Sequence, residues 1–282
     1  MSTAPPVAGN PSRPFRKLQL AVMKVLLRTL GRTSDGIRIA FEHGLISGVM
    51  LEYVYRNQAG GSWLIGKWID RAYLDHLGWQ VIRARKANLE GLLARAIEGV
   101  RDTVGEPRVL DVAAGPSRYL LEVLSRDGME DVIAVARDVD EEALGKGRAN
   151  AKQMGLDERV RFEVGDALDR DSLATVQPAP NVVVSSGFYD WITEDDLIRK
   201  SMALIAERLP AGGYFVFTNQ SGHSDLEMAE ALFLDLKGQP LRMTTRPPAT
   251  MNGWAEEAGF EVLATLSDEH GHYSATLARR QA

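Results

Sequence analysis

The stretch from Val109 to Ser117 constrains the fold of this chain more than any other. Its sequence, VLDVAAGPS, begins with apolar residues typical of a buried strand and ends in small residues typical of a tight turn. A helical pattern from Tyr119 to Arg126 follows at once. In open α/β sheets, a strand, turn and helix in this order present backbone N–H groups to a nucleotide-like ligand. We therefore expect such a sheet here.

Downstream of this stretch, strand patterns alternate with helical patterns, which is typical of a mainly parallel sheet with crossover helices. The predicted strands are 109–112, 132–136, 160–164, 182–185 and 214–218, and the predicted helices are 119–126, 141–154, 171–176, 195–209 and 250–258. Residues 261–266 and 273–278 predict an antiparallel hairpin at the sheet edge. The predicted fold class is therefore α/β, with a Rossmann-like sheet.

The region before this alternation is predicted to be helical. Residues 1–13 are rich in Pro, Ala, Gly and Ser and predict a disordered tail. Residues 14–104 predict a helical cap or lid, and residues 105–282 the α/β domain. The predicted helices of the cap are 15–30, 37–55 with interruptions at Gly44 and Gly48, 63–77 and 80–100. The first of them carries basic residues among apolar ones, so it could pack on the protein, form a homodimer or lie on a membrane surface.

Composition indicates an ordinary globular protein, with 45% apolar and 25% charged residues. No apolar run approaches the roughly 20 residues of a membrane span. The absence of cysteine excludes disulfides, thiolate chemistry and Cys-ligated zinc, and fits a cytoplasmic location. The net charge of −5 combines a net of +7 in residues 1–104 with −12 in the remainder. The basic part could steer an anionic substrate, contact an anionic membrane, or simply dock on the acidic domain.

Carboxylates stand at the ends of the next two predicted strands. Asp138 ends the second strand, where a carboxylate can accept hydrogen bonds from both ribose hydroxyls of a nucleoside. Either Asp138 or Asp140 could instead cap the helix that begins at Glu141. Asp166 ends the third strand. The carboxyl ends of parallel strands share one edge of a sheet, so these groups should lie beside the 109–117 turn.

The turn and the two carboxylates together resemble the cofactor site of class I S-adenosylmethionine (SAM) methyltransferases. The resemblance implies SAM as cofactor. It also implies that Asp111 orients the turn or acts through water, that Asp166 accepts from the adenine amino group, and that the Ala167 N–H donates to the ring. The predicted cofactor-binding residues are Asp111, Ala113, Gly115, Ser117, Asp138, Asp166, Ala167 and Ser185.

The turn holds one glycine where that class often has three, with Ala113 and Ser117 at the other two small positions. A dinucleotide-binding Gly-x-Gly-x-x-Gly motif is therefore absent, which disfavours a nicotinamide oxidoreductase. Much of the chain also resembles a narrower group of bacterial SAM-dependent methyltransferases, some of them fused to an α/β-hydrolase domain. The segments that carry this resemblance are 36–38 (GIR), 51–57 (LEYVYRN), 69–75 (IDRAYLD) and 217–220 (FTNQ). It implies a reaction class and no particular substrate.

The acceptor side is less clearly marked. The fourth strand ends in Ser185-Ser186-Gly187-Phe188-Tyr189, without the Asn/Asp-Pro-Pro-aromatic motif of enzymes that methylate nucleic-acid bases, so no nucleic-acid partner is expected. Tyr189 could contact a planar substrate as a catalytic-site residue, or pack in the core. His223 could be a general base, or a surface residue of a loop. No metal is implied, and His270 and His272 fit a solvated turn.

Five further residues are candidates for substrate binding: Tyr53, Tyr55, Arg56, Asn219 and Gln220. The first three would either close over the substrate from the helical region or only pack within that region. The two amides would orient the substrate. The predicted reaction is methyl transfer from SAM to a small molecule, anionic or lipid-like, by in-line displacement. The alternatives are a non-catalytic SAM-binding scaffold protein and, less favoured, a nicotinamide oxidoreductase.

Overall fold

The computed structural model describes residue 25 and residues 29–45, 47–222 and 244–282. The predicted tail 1–13, most of the predicted helix 15–30 and the candidate base His223 lie outside the described residues.

Within this part of the chain, a seven-stranded sheet has the order β3-β2-β1-β4-β5-β7-β6. Strands β1 to β5 are parallel, and β7 runs antiparallel to both β5 and β6. The predicted parallel sheet with a C-terminal antiparallel hairpin is therefore confirmed. The strands are β1 Arg108–Val112, β2 Ile133–Asp138, β3 Val160–Val164, β4 Val182–Ser185, β5 Tyr214–Gln220, β6 Phe260–Ser267 and β7 Tyr273–Arg280.

The helices follow the predicted pattern with shifted ends. They are α1 Asp35–His43, α2 Gly48–Arg56, α3 Trp63–Leu74, α4 Leu77–Thr103, α5 Arg118–Leu124, α6 Glu141–Gln153, α7 Arg170–Ala174, α8 Asp195–Arg208 and α9 Pro248–Glu257. The predicted helix 37–55 is two helices, α1 and α2. Gly44 leaves α1 at a φ of +88°, and the Ser47 side chain caps α2 by accepting from the Met50 N–H at 3.2 Å.

Helices cover both faces of the sheet. Residues of α4, α5 and α6 form one core with the sheet, centred on side chains such as Leu93, Ile97 and Leu120. Residues of α7, α8 and α9 form a second core on the opposite face, with Phe215 and Met251. Burial of these apolar side chains is the main free-energy gain that holds the layers together.

The long helix α4 belongs to both parts of the chain. Its C-terminal half packs on the sheet, whereas Trp79, Val81 and Ile82 near its start pack with the helices α1, α2 and α3. The predicted helical region 14–104 thus shares α4 with the α/β core. The domain boundary at residue 104 stays a prediction. Helix α4 contacts both the helical region and the α/β core.

Candidate functional site

The turn after β1 has three residues in the left-handed region of backbone conformation. Ala113, Gly115 and Ser117 have φ angles of +53°, +54° and +54°. This region favours glycine, and other residues adopt it at a cost of about 1–2 kcal/mol. The positions at which related turns often carry glycine are therefore positions where the backbone itself demands this conformation. A Cβ added at Gly115 would meet no atom within 4 Å, so the outer side of the turn is open to a ligand.

Asp111 lies beneath this turn and is fully buried. Its two carboxylate oxygens accept hydrogen bonds from the hydroxyls of Ser117 and Tyr119. Burial raises the pKa of Asp111 to about 7, although both hydroxyl donors act to lower it. Of the two roles predicted for Asp111, this placement supports orientation of the turn.

Asp138 joins the ends of β1 and β2. Its Oδ2 accepts the Gly115 N–H at 2.8 Å, and its Oδ1 accepts the Asp140 N–H at 2.9 Å. A carboxylate oxygen can accept a second hydrogen bond, so both oxygens keep capacity for a ligand hydroxyl. Asp140 caps α6 by accepting from the N–H groups of Glu142 and Ala143 at 2.9 and 3.3 Å. The capping role considered for this acidic run therefore belongs to Asp140, and ribose binding by Asp138 stays a prediction.

The end of β3 completes this edge. Gly165 donates its N–H to the Asp138 carbonyl at 3.0 Å, which holds the β3 turn against β2. The exposed Asp166 accepts the Leu168 N–H at 2.8 Å. Within the part of the chain that the structure describes, the N–H of the buried Ala167 makes no hydrogen bond. We call the ends of β1, β2 and β3, residues 111–117, 138 and 165–167, the cofactor half of the site.

Two buried side chains at the ends of β4 and β5 carry unsatisfied oxygen atoms. Neither Ser185 Oγ nor Gln220 Oε1 has a hydrogen-bond partner among the described residues. An unsatisfied buried polar group costs about 1–3 kcal/mol, so these atoms are candidates for contact with a ligand. The buried Asn219, in contrast, donates its side-chain amide to the Arg246 carbonyl at 2.7 Å. The Asn219 amide therefore holds the chain segment at Arg246 against the end of β5.

Sequence reasoning missed a buried ion pair at these strand ends. Arg85 of α4 donates to Asp190 Oδ2 at 3.0 Å, and Asp190 Oδ1 accepts the Gln220 N–H at 2.8 Å. Burial raises the pKa of Asp190 to about 6, while Arg85 and the Gln220 N–H act to lower it. Arg85 gave no signal in the sequence, because it stands among other basic residues of a helix. Asp190 could have been selected from the sequence, because it directly follows the aromatic pair at 188–189.

A second arginine, Arg246, supports the same strand ends. It is buried and pairs with Asp195 at 2.8 Å, and it donates to the Ile192 carbonyl at 2.7 Å. Its own backbone N–H bonds the Gln220 carbonyl at 2.9 Å. We call residues 185–190, 219–220, Arg85 and Arg246 the acceptor half of the site.

The surroundings of Tyr189 bear on the two roles considered for it. Its side chain is fully buried, its ring lies against those of Phe188 and Phe217, and its hydroxyl is 3.2 Å from Ser201 Oγ. The enclosed ring offers no exposed face on which a substrate could stack. The core role, considered as the alternative for this residue, is the one that its surroundings support.

The three candidates on α2 have different surroundings. The Tyr53 hydroxyl donates to Asp70 and accepts the Gly60 N–H at 3.0 Å, so it is engaged within the helical region. The Tyr55 hydroxyl accepts from Arg85 at 3.1 Å, which places it beside the acceptor half. The exposed Arg56 donates to Glu52 at 3.0 Å.

Helix α2 also contacts the cofactor half directly. Glu52 accepts from Arg118 at 2.7 Å, at the start of the helix after the turn. A Cβ added at Gly48 would lie 2.9 Å from the Pro116 ring, so the backbone of α2 approaches the turn closely. The helical region therefore lies against the cofactor turn.

Comparison with known proteins identifies the family. Residues 6–280 match the family described as "Putative methyltransferase". The chain belongs to this methyltransferase family. It is 32% identical to the uncharacterized protein YnbC of Escherichia coli strain K12 over 279 residues, which are 98% of this chain and 47% of that protein. The chain thus spans about half the length of this curated relative.

Several solved structures have a fold similar to that of this methyltransferase. A protein described as a possible exported protein from Bordetella parapertussis has a TM-score of 0.69 at 18% identity, over 97% of this chain and 100% of that one. The magnesium protoporphyrin IX methyltransferase from Synechocystis, solved with bound SAH, has a TM-score of 0.56 at 12% identity, over 85% and 98%. The fold is that of the class I SAM-dependent methyltransferases, as the sequence predicts.

The cofactor that this family and fold imply, SAM, suits the residues present. The open side of Gly115, the remaining acceptor capacity of Asp138 and the free N–H of Ala167 lie on adjacent strand ends. Within residues 29–45, 47–222 and 244–282, no cluster of side chains could hold a metal ion. No helix in the same ranges is long and apolar enough to cross a membrane.

Proposed function

We propose that this methyltransferase transfers the methyl group of SAM to a small-molecule acceptor held between the sheet edge and the N-terminal helices. One observation carries the proposal, namely the 2.8 Å hydrogen bond from the Gly115 N–H to Asp138. It joins the small-residue turn to the carboxylate predicted for ribose recognition, two features that lie 23 positions apart in the sequence. An N–H-lined turn beside a carboxylate with spare acceptor capacity suits a nucleoside.

Each residue of the cofactor half has a role in this proposal. Bound SAM supplies a sulfonium-activated methyl group. Asp138 accepts from the ribose hydroxyls, Asp166 accepts from the adenine amino group, and the Ala167 N–H donates to the adenine ring. Ala113 and Gly115 bring the backbone close to the ligand. Ser117 faces away from it because its hydroxyl donates to Asp111, which holds the turn in shape.

In the acceptor half, the unsatisfied Gln220 Oε1 and Ser185 Oγ would receive donors from the ligands. Because Asp190 accepts the Gln220 backbone N–H, the Arg85–Asp190 pair holds the backbone from which the Gln220 side chain projects. Helix α2, with Tyr55 facing Arg85, would exclude water and align the acceptor with the methyl group. The acceptor class that we propose is a small molecule, anionic or lipid-like, and no nucleic acid.

A general base is needed only if the acceptor atom carries a proton, as a hydroxyl or amine does. His223 stays the predicted base, and its position lies outside the described residues. With the acceptor at saturation, His223→Ala should lower kcat at least tenfold, or by about 1.4 kcal/mol in activation free energy. Unchanged turnover would remove His223 from the mechanism. The cytoplasmic location and the homodimer expected from the sequence also stay predictions.

The decisive experiment is calorimetric titration of the protein with S-adenosylhomocysteine. We expect clear binding by the wild type and a loss of roughly 100-fold in Asp138→Ala, because the ribose acceptor is removed and the Gly115 N–H loses its partner. Asp140→Ala is the matched control. It removes a carboxylate from the same loop but only a helix cap, so affinity should change little. An equal loss in both variants would contradict the assignment of Asp138.

Binding alone does not establish catalysis. Incubation with methyl-labelled SAM and fractionated small molecules should yield a labelled product. Tight S-adenosylhomocysteine binding with no product from any fraction would favour the non-catalytic scaffold protein. Once an acceptor is known, Gln220→Met should raise its KM and leave S-adenosylhomocysteine affinity unchanged, because Gln220 belongs to the acceptor half. Binding of NADPH in place of S-adenosylhomocysteine would favour the alternative that the protein is a nicotinamide oxidoreductase.

A further inference from the structure

The first two turns of α3 expose an unusual set of large apolar side chains. Trp63 is 87% exposed, Leu64 81%, Ile65 68% and Trp68 82%. Single exposed apolar residues are common, but a contiguous group with two tryptophans marks an interaction surface in a soluble protein. We call these four residues the α3 outer face. None of them belongs to the cofactor half or the acceptor half of the site.

The opposite side of α3 holds this face outward. Gly66, Asp70 and Leu74 form its buried stripe, and a Cβ added at Gly66 would lie 2.3 Å from the Thr33 carbonyl oxygen. At about 100° per residue, Leu64, Ile65 and Trp68 lie on the side of the helix away from this stripe. Trp63 has the angular position of the stripe but stands at the first position of the helix, where it is exposed. The orientation of the outer face is therefore fixed by close packing behind it.

Asp70 anchors that packing. Its buried carboxylate accepts hydrogen bonds from the Ser34 hydroxyl at 2.6 Å, the Gly36 N–H at 2.7 Å and the Gly60 N–H at 2.9 Å, and from the Tyr53 hydroxyl. A buried carboxylate with this many donors is strongly held in place. Helix α3 cannot rotate to bury its tryptophans without breaking these bonds.

The charges around the outer face are positive. Lys67 is exposed on the same two turns, and Arg32 is exposed in the turn that packs behind the helix. Neither side chain has an ion-pair partner in the part of the chain that the structure describes. Within α3 itself the only acidic residue is the buried Asp70, and the nearby half-exposed Asp35 is paired with Arg38 at 2.8 Å. Residues 1–104 as a whole carry a net charge of +7.

We propose that the α3 outer face docks on the surface of an anionic lipid bilayer. Tryptophans beside lysine or arginine suit the membrane interface, where the rings lie at the headgroup level and the cations meet lipid phosphates. A second copy of the chain is a poorer occupant. A symmetric dimer through this face would bring Lys67 and Arg32 of both protomers together, and like charges repel. The surface is independent of the proposed methyl transfer.

The test is co-sedimentation of the full chain with lipid vesicles, together with tryptophan fluorescence. Wild-type protein should sediment with vesicles of phosphatidylcholine and phosphatidylglycerol, with a blue-shifted emission, and much less with phosphatidylcholine alone. The double variant Trp63→Ser, Trp68→Ser should lower the partition coefficient at least tenfold. Lys67→Glu changes the local charge by two and should lower the partition coefficient about 30-fold on the anionic vesicles only, since each charge near the surface contributes about 1 kcal/mol.

Leu266→Ser is the matched control, because Leu266 is exposed on β6 at the far edge of the sheet and should not affect partitioning. S-adenosylhomocysteine affinity reports whether each variant is folded. Failure of the wild type to bind anionic vesicles, or equal binding by the double variant, overturns the proposal. So does a wild-type dimer that the double variant abolishes, since the occupant would then be a second copy. Protection of the tryptophans from acrylamide in a lipid-free monomer would show that the chain covers the face itself.

Discussion

The two halves of the site are built in different ways. In the cofactor half, neighbouring parallel strands bring their own end residues together, as in the Gly115–Asp138 and Gly165–Asp138 contacts. In the acceptor half, the contacts join distant elements. Arg85 lies 105 positions before Asp190, and Arg246 lies 51 positions after Asp195. The first half therefore follows from strand order, and the second depends on how helices and loops return to the sheet.

This difference has a consequence for stability and binding. The ligand-facing groups of the cofactor half are backbone N–H groups and the carboxylates of the half-exposed Asp138 and the exposed Asp166, so single changes at these groups should alter ligand affinity. The acceptor half contains a fully buried ion pair, so breaking it should alter stability first. Four predictions separate these effects, from the largest expected change to the smallest.

Arg85→Met should lower the free energy of unfolding by about 4 kcal/mol, because it leaves the Asp190 carboxylate buried without its cation. Urea denaturation measures this loss. In native buffer, S-adenosylhomocysteine affinity should stay close to that of the wild type. Arg83→Met, on the same helix, loses only a bond to the Leu74 carbonyl and should cost about 1 kcal/mol. A comparable loss of cofactor affinity in Arg85→Met would show that the halves are not separate.

Asp111→Asn should change how stability depends on pH. Because burial raises the pKa of Asp111 to about 7, the folded protein retains a proton that the unfolded chain releases. The contribution of Asp111 to the unfolding free energy is therefore full at low pH and falls by about 3 kcal/mol from pH 4 to pH 7. Asparagine has no such proton.

Urea denaturation at several pH values checks this prediction through the difference between wild type and variant. That difference should decrease steadily across the window. A constant offset for Asp111→Asn would mean that Asp111 is ionised throughout.

Asp166→Asn should weaken S-adenosylhomocysteine binding about tenfold, or by about 1.4 kcal/mol, because a charged acceptor for the adenine amino group becomes a neutral one. Asparagine can keep the bond to the Leu168 N–H, so the turn itself should persist. Asp169→Asn, three positions away, should leave calorimetric affinity unchanged. Equal effects of the two variants would show that Asp166 only stabilises the turn and does not bind the adenine.

Ala113→Gly should raise the free energy of unfolding by about 0.5 kcal/mol. Glycine removes the strain of the +53° φ angle, and its greater freedom in the unfolded chain offsets part of that gain. Ala114→Gly is the control. Ala114 is buried without a positive φ, so its loss should cost about 1 kcal/mol in the same urea experiment. Destabilisation by both substitutions would show that Ala113 is not strained.

The alternation of strands and helices could be predicted from the sequence because each element carries its own periodicity. The five parallel strands and the C-terminal hairpin are found at the predicted positions, with ends shifted by a few residues. Helix ends were less predictable. The break between α1 and α2 depends on the Ser47 cap and the Gly44 conformation, and the length of α4 depends on packing against the sheet.

Roles of single residues were harder to predict where burial decides them. The sequence around an aromatic residue such as Tyr189 is the same whether its ring faces a ligand or the core. Its burial depends on the elements that pack over the sheet. Tyr53 is likewise engaged by Asp70, a partner 17 positions away. Arg85 and Asp190 had no visible relation in the sequence, because their pairing depends on where α4 crosses the sheet.

The sequence by itself determined the fold class, the methyltransferase family and the carboxylates of the cofactor half. Local patterns define these features, and parallel strands always bring their carboxyl ends to one edge. The tertiary structure alone decided which polar groups are buried, paired or left unsatisfied, and which face of α3 is exposed. Burial and pairing depend on contacts between residues far apart in the chain, and a local pattern does not encode them.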